Sequence, residues 1–168
     1  DFDLSLLRGF PDATASLRKV TLTGTDGKPL LEAEALSFHF RLLSLFGDVV
    51  KVHSVTIRNG ALNVRTDKLG KTNYDIFKET GTEEDTDFRI SLERARLESI
   101  EFLYSDEKLK HQMLAQVKKA DFSGEFSNKQ FEMKSTAELV SNYIDLDGVR
   151  YFTEKRWGYD AVISVNLD

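Results

Sequence analysis

The chain has 168 residues, which suits one domain or two small ones and is long enough to bury a hydrophobic core. Hydrophobic residues make up 40% and charged residues 30%, a composition that excludes an intrinsically disordered chain. The formal net charge is −5, with 23 Lys+Arg against 28 Asp+Glu and no basic stripe, so no nucleic-acid partner is expected. The absence of cysteine excludes disulfides and thiolate metal sites.

The first part of the chain alternates apolar and polar residues with a period of two, which is the pattern of a β-strand. It predicts strands over Asp3–Leu7, Ala15–Gly24 and Leu30–Arg41, with Asp26-Gly27 as the hairpin turn between the last two. The third of these strands places three large apolar side chains on one face, at Leu36, Phe38 and Phe40.

A short leucine-rich helical turn follows the third strand. It spans Leu42–Phe46, is closed by Gly47, and is too short to cross a membrane. We expect its large apolar side chains to plug one end of the sheet; these are Leu42, Leu43, Leu45 and Phe46.

The next segment repeats the strand pattern on both sides of a predicted tight turn at Asn59-Gly60. Its apolar positions are Val52, Val55, Ile57, Leu62 and Val64. A spacing of three residues and then two predicts a bulge or kink within a strand. This spacing occurs at Leu17/Val20/Leu22, Val52/Val55/Ile57 and Leu97/Ile100/Phe102.

Residues 79–87 are polar and acidic, and they predict a flexible loop. The acidic cluster lacks the Asp-x-Asp-x-Asp-Gly spacing of a calcium-binding loop, so a solvated loop is the better interpretation. Residues 88–168 return to alternating strands with turn residues at short intervals. Their apolar positions include Ile90, Leu92, Ile100, Phe102, Phe122, Phe126, Phe131 and Met133.

The sequence carries little that would support catalysis. His39, His53 and His111 are far apart, and none has a metal-ligand spacing. There is no Gly-x-Ser-x-Gly elbow, and carboxylate pairs such as Glu83/Glu84 lie in a loop with no sign of a closed pocket. We therefore predict a protein that is not an enzyme and that uses no cofactor or metal.

About ten predicted strands and almost no helix indicate a mainly β protein built on a large antiparallel sheet. The one-sided apolar stripes leave two interpretations open. They are either the inner side of a closed core or, because almost no helix is available to cover the sheet, an exposed apolar trough that marks a binding site.

The order of parts from Thr14 to Phe77 resembles the AsmA-like family of bacterial envelope proteins. In that family a strand runs into a Leu-Leu-rich helical turn, then into two strands joined by a tight turn, and then into a polar Asp-Gly-x-x-Asn-aromatic close. Here the close consists of Asp67, Gly70, Asn73 and Tyr74, with Lys68 and Leu69 inserted between the usual Asp and Gly.

The resemblance implies a strongly twisted sheet that is folded into an open groove or half-barrel, with an apolar concave face and one short helix near residues 42–47. We accordingly divide the chain into an N-terminal β unit (1–78), the acidic loop (79–87) and further strands of the same sheet (88–168). Because the chain begins at Asp1 already in strand-like alternation, we expect it to be a piece of a longer protein.

The function implied by the resemblance is a non-enzymatic role in outer-membrane biogenesis. The parent protein would be periplasmic and anchored in the inner membrane by a segment absent from this chain. Its implied partners are phospholipids, whose acyl chains would be conducted along the groove between the two membranes, and outer-membrane assembly factors. The groove candidates are Leu36, Phe38, Phe40, Val55, Ile57, Leu62, Val64, Ile90, Leu92, Ile100, Phe102, Phe122, Phe126, Phe131 and Met133.

Two alternatives belong to other functional classes. One is a structural scaffold for outer-membrane protein assembly, whose apolar face would be sealed inside a closed core. The other is a carbohydrate-binding β-sandwich in which Trp157 and Tyr159 stack on a sugar, although packing of the final hairpin is the better interpretation of these two residues.

Overall fold

The computed structural model describes residues 2–5, 12–46, 49–75, 89–124, 130–151 and 153–166. These residues form ten strands and one short 3-10 helix. In chain order the elements are β1 (Phe2–Ser5), β2 (Asp12–Thr23), β3 (Pro29–Arg41), the 3-10 helix η1 (Leu42–Phe46), β4 (Val49–Thr66), β5 (Arg89–Leu92), β6 (Arg94–Asp106), β7 (His111–Ser123), β8 (Gln130–Leu146), β9 (Val149–Tyr151) and β10 (Lys155–Asn166).

All ten strands belong to one sheet, in the order β1-β2-β3-β4-β6-β7-β8-β10, with β5 beside β4 and β9 beside β8. The two outermost strands, β1 and β10, do not pair with each other, so the sheet is open and is not a barrel. The predicted mainly β class and the single helical turn near residues 42–47 are both confirmed.

The sheet is mixed, which corrects the prediction of an antiparallel sheet. Strand β4 pairs in parallel with β5 and β6, whereas the other pairings are antiparallel. A parallel pair needs a connection of roughly a dozen residues or more to return the chain to the starting end. Residues 76–88 supply that length; the predicted acidic loop at 79–87 lies within them, outside the described residues.

The strand registers define two chemically different faces. One row of lateral neighbours crosses seven strands and is apolar, at Leu17, Leu36, Ile57, Leu97, Ala120, Ala137 and Tyr159. The row beside it points to the opposite face, because successive residues of a strand alternate. That row is polar, at Ser16, Ser37, Thr56, Arg96, Asp121, Thr136 and Asp160. We call the two sides the apolar face and the outer face.

A line of extra residues crosses the middle of the sheet. Lys19, Asn59 and Ser99 have positive φ angles of 55°, 51° and 56°. The strand pairing skips each of these residues. Glu34 of β3 and Lys118 of β7 are skipped at the same level of the sheet. One inserted residue shifts the alternation by one position, so apolar residues three apart stay on the same face. This bulge line confirms the predicted kinks at Leu17/Val20/Leu22 and Leu97/Ile100/Phe102.

The third predicted kink also has a counterpart, near the beginning of β4. Phe38 pairs with Val55 but Phe40 pairs with Val52, so the register shifts by one residue between them. Val52 and Val55 therefore share the apolar face although three positions separate them.

The predicted turn at Asn59-Gly60 is wrong, because β4 continues through it without a break. A tight hairpin turn of this composition requires positive φ at both residues, and only Asn59 has it. Gly60 serves a different purpose: a Cβ atom there would collide with the backbone carbonyl oxygen of Glu32 on the neighbouring strand. The glycine permits close strand approach at the bulge line.

The polar close after β4 forms a compact turn, which is held by hydrogen bonds between side chains and backbone groups. The Oδ1 atom of Asp67 accepts hydrogen bonds from the amides of Leu69 (2.8 Å) and Lys71 (2.9 Å). The buried Asn73 side chain accepts a bond from the Arg65 amide and donates one to the Asn63 carbonyl, both at 2.8 Å. Asn73 thus satisfies backbone groups of β4 beyond the point where its pairing with β3 ends.

Substitutions at Ser99 test the bulge line. Glycine relieves the left-handed backbone, so Ser99→Gly should leave the free energy of unfolding unchanged or raise it by up to about 1 kcal/mol. A β-branched residue there is strained, so Ser99→Val should lower it by about 1–2 kcal/mol. At Glu101, an exposed position of the same strand, the order should be reversed, because valine favours and glycine disfavours ordinary strand backbone. Urea unfolding measures all four variants; the same order at both positions would contradict the bulge.

Asn73→Ala tests the polar close. The substitution leaves the amide of Arg65 and the carbonyl of Asn63 without partners in a buried site, which should cost about 3 kcal/mol of unfolding free energy. Tyr74→Ala is the control, because Tyr74 is the adjacent residue and is exposed; its cost should stay below about 1 kcal/mol. Equal costs in urea unfolding would show that Asn73 holds nothing in place.

Candidate functional site

The apolar face brings together the predicted groove residues. The strand pairings place every candidate whose side chain is described on that face; these are Leu36, Phe38, Phe40, Val55, Ile57, Leu62, Val64, Leu92, Ile100, Phe102, Phe122 and Met133. Ile90 and Phe131 lie in strands β5 and β8, where their backbones pair with Val50 and Val165. Phe126 lies outside the described residues.

The predicted plug formed by η1 is not observed within the described part of the chain. Leu43, Leu45 and Phe46 are exposed, and Phe46 retains 87% of its accessible surface. Within the described residues, its main contacts are with the adjoining strands β3 and β4. The Ser44 side chain ties the helix to both strands, since its hydroxyl donates to the Arg41 carbonyl (2.6 Å) and accepts from the Lys51 amide (2.9 Å).

The apolar face has a floor of small side chains bordered by large ones. Six of its buried apolar residues form one cluster, Ile100, Ala115, Val117, Ala120, Ala137 and Leu139, and Ser135 and Ser141 of the same face are also buried. Larger and only partly buried side chains surround that cluster, at Ile57, Leu62, Leu97, Phe102, Phe122 and Tyr159. Three of the six clustered residues are alanines, whereas the partly buried residues around them include Phe102, Phe122 and Tyr159. We call this part of the apolar face the trough.

The alanines of this floor were not among the predicted site residues. An alanine in an alternating strand gives almost no hydrophobic signal by itself, and only the registers show that Ala120 and Ala137 are neighbours across β7 and β8. Ala115 pairs with Phe102 of β6 and Ser141 of β8, which places it on the same face.

No second layer covers the apolar face among the residues that the structure describes. Apart from the contacts of η1, every substantial contact between elements joins strands that pair in the sheet. The one helix among the described residues is η1, and every described strand belongs to the same sheet, so the side chains of this sheet themselves bury Ile100 and Ala115, which are both 0% exposed. An apolar surface of this extent is typical of a binding site.

The outer face is polar, and ion pairs join its neighbouring strands β4, β6 and β7. Arg58 of β4 contacts Glu98 of β6 at 2.6 Å, and Arg96 of β6 contacts Asp121 of β7 at 2.6 Å. Burial raises the pKa of Asp121, but hydrogen bonds from Arg96 and Lys119 outweigh that effect and hold the pKa below its ordinary value. These pairs give the sheet one face that favours water.

His39 and His53 lie close together on the outer face, whereas His111 pairs with Leu146 at the end of β7. His53 lies between Asp12 (3.5 Å) and Glu93 (3.2 Å), and the His39 ring is 6.0 Å from that of His53. Within the described ranges, no group of three or more His, Asp or Glu side chains is arranged to hold a metal ion. The cluster joins β2, β3, β4 and the β5–β6 junction.

Trp157 and Tyr159 both lie on the apolar face of the edge strand β10. Their ring centroids are 6.2 Å apart and the rings are tilted by 37°. The Tyr159 hydroxyl lies 2.9 Å from the hydroxyl of buried Ser135, and its ring packs against the central cluster. Tyr159 is thus a packing residue, and the two rings do not form a flat platform for a sugar.

No protein-family model matches the chain, and no curated protein or solved structure gives a significant match. The resemblance to the AsmA-like family therefore stays a prediction that depends on the order of the sequence elements. No helical segment in the described residues has the length and hydropathy needed to cross a bilayer.

Asp121→Asn tests the ion pairs of the outer face. The lowered pKa means that the carboxylate stabilises the fold above the unfolded-state pKa of about 3.9, and that this contribution is lost as pH falls through the folded value. The variant should be about 1 kcal/mol less stable than the parent at pH 7. The difference should shrink as the pH falls below the unfolded-state pKa and the carboxylate becomes protonated in the folded protein. A difference that does not change with pH in urea unfolding would contradict the assignment.

Proposed function

We propose that the apolar face binds the acyl chains of phospholipids. The observation that carries this proposal is the floor of small side chains, bordered by partly buried aromatic and leucine residues, on a sheet face that no other described element covers. The sheet ends in two unpaired edges, so a bound lipid would be able to keep its headgroup in water at a rim.

The energetics of acyl chains suit such a surface. Each methylene removed from water contributes about 0.8 kcal/mol, so an acyl chain gains affinity without specific polar contacts. A long, shallow and apolar trough therefore favours chains over headgroups and tolerates different lipids. The polar outer face, with its ion pairs between β4, β6 and β7, keeps the opposite side of the sheet hydrated.

The wider role that we propose is that of a non-enzymatic domain of an AsmA-like envelope protein. In this proposal the parent protein lies in the periplasm, is anchored in the inner membrane by a segment outside this chain, and conducts phospholipid toward the outer membrane. The order of strand, helical turn, long strand and Asp-Gly-Asn close supports it, as does an open sheet with one apolar face. Contacts with outer-membrane assembly factors are part of the same proposal.

Native mass spectrometry of the purified chain, with lipid extraction of the same sample, tests the acyl-chain proposal. We expect co-purifying phospholipid in the parent chain and at least a tenfold loss in Phe102→Glu, because a carboxylate in the trough opposes apolar contact. Ile163→Glu offers a gentler change, since Ile163 is on the edge strand, faces the trough beside Met133 and is 40% exposed.

The matched control is Val162→Glu. Val162 is the neighbouring residue on β10, points to the outer face and is 62% exposed. Circular dichroism must show that all variants fold. Phospholipid that survives Phe102→Glu and Ile163→Glu, or that is lost equally in Val162→Glu, would contradict the trough. A parent chain free of lipid, together with no uptake of added phospholipid, would favour the closed scaffold.

A further inference from the structure

Three turns meet at one end of the sheet. The turn after β4 (residues 67–71), the β6–β7 turn (107–110) and the β8–β9 turn (147–148) are neighbours there. The amide of Glu107 donates to the carbonyl of Thr66 at 2.9 Å, and the amide of Asp147 donates to the carbonyl of Lys110 at 3.1 Å. We call this surface the turn end.

Large apolar side chains project from the turn end into solvent. Leu69 is 91% exposed, and Leu109 and Val149 are each 53% exposed. Their backbones are fixed, since the carboxylate of Asp67 binds the Leu69 amide and that of Asp106 binds the Leu109 amide, both at 2.8 Å. The exposure of these leucines on ordered turns does not contribute to the stability of the fold.

Lysines flank both of these leucines. The first turn reads Asp-Lys-Leu-Gly-Lys (67–71) and the second reads Glu-Lys-Leu-Lys (107–110). With Asp147 of the third turn, the three turns carry four lysines against three acidic residues, in a chain whose net charge is −5. The carboxylate of Asp67 is occupied by two backbone amides, and Lys110 pairs only loosely with Asp147, at 3.8 Å. The three turns thus carry a net excess of one positive charge on an acidic protein, and the lysines adjoin both exposed leucines.

We propose that the turn end docks on an anionic lipid bilayer, with Leu69 and Leu109 inserted at the headgroup level and the flanking lysines on lipid phosphates. Apolar side chains bordered by lysine suit the membrane interface, where the lysine stem lies against apolar groups and the ammonium stays hydrated. This docking goes beyond acyl-chain binding by the apolar face and does not require it.

The location of the turn end would also connect the two surfaces. The apolar face runs to this end through Leu146, Val149 and Tyr151, which are 41%, 53% and 46% exposed. If the face carries acyl chains as proposed above, docking by the turn end would bring the trough to the bilayer from which a lipid enters or leaves.

Flotation of the full chain with lipid vesicles tests the docking. Vesicles of equal parts phosphatidylglycerol and phosphatidylcholine should carry the chain, and vesicles of phosphatidylcholine alone should carry much less. Added salt should release it, because exposed charges are screened. Leu69→Glu combined with Leu109→Glu should reduce the bound fraction at least tenfold. Lys68→Gln and Lys108→Gln should each weaken binding about fivefold, the share of one lysine near an anionic surface.

Val162→Glu serves again as the control, since it places the same charge on an exposed apolar residue of the outer face and should not change flotation. The turn-end double variant should retain lipid in native mass spectrometry, and Phe102→Glu should retain flotation, so the two proposals fail separately. Absence of parent-chain binding to anionic vesicles would overturn the docking. So would binding that persists in the turn-end double variant, or that is lost only in Phe46→Glu of η1 at the opposite end.

Discussion

The apolar face depends on one extra residue in each of five adjacent strands. Side chains of a regular strand alternate between the two faces. Without the bulge line through Lys19, Asn59 and Ser99, the apolar residues in the second half of each strand would therefore point to the outer face. The row at Leu22, Leu31, Leu62, Phe102 and Ala115 would then point into water. The left-handed backbone at three of these positions is the local cost of a face that stays apolar along the whole strand.

A face built in this way has a buried apolar centre. The row on one side of the bulge line leads to Ala120 and Ala137, and the row on the other side leads to Val117 and Leu139, so both meet in the buried cluster of β7 and β8. Larger, partly buried side chains pack around this cluster. The outer face carries arginine–carboxylate pairs on the same strands. These two faces, together with the leucine and lysine turns at one end, are the basis for proposing a lipid-binding sheet that docks on a bilayer.

Much of the fold could be predicted from alternation alone, because each strand displays its two faces directly in the sequence. The turn at Asp26-Gly27 was predicted from its dipeptide, and Gly27 has the positive φ that such a turn requires. The parallel junction of β4 and β6 was missed, because alternation carries no direction; only the length of the segment 76–88 pointed to it. Asn59-Gly60 was misassigned since the same dipeptide serves a hairpin turn and a bulge. The alanine floor needed the registers, which no local pattern contains.

Trp157 provides the most direct test of lipid binding in the trough. It is the single tryptophan of the chain, lies on the apolar face beside Leu139 and is 39% exposed. Fatty acids or phospholipids with brominated acyl chains quench tryptophan fluorescence on contact. We predict saturable quenching in the parent chain that weakens in Ile163→Glu and is unchanged in Val162→Glu. No quenching, or equal quenching in Phe102→Glu and the parent chain, would contradict an acyl-chain site on the apolar face.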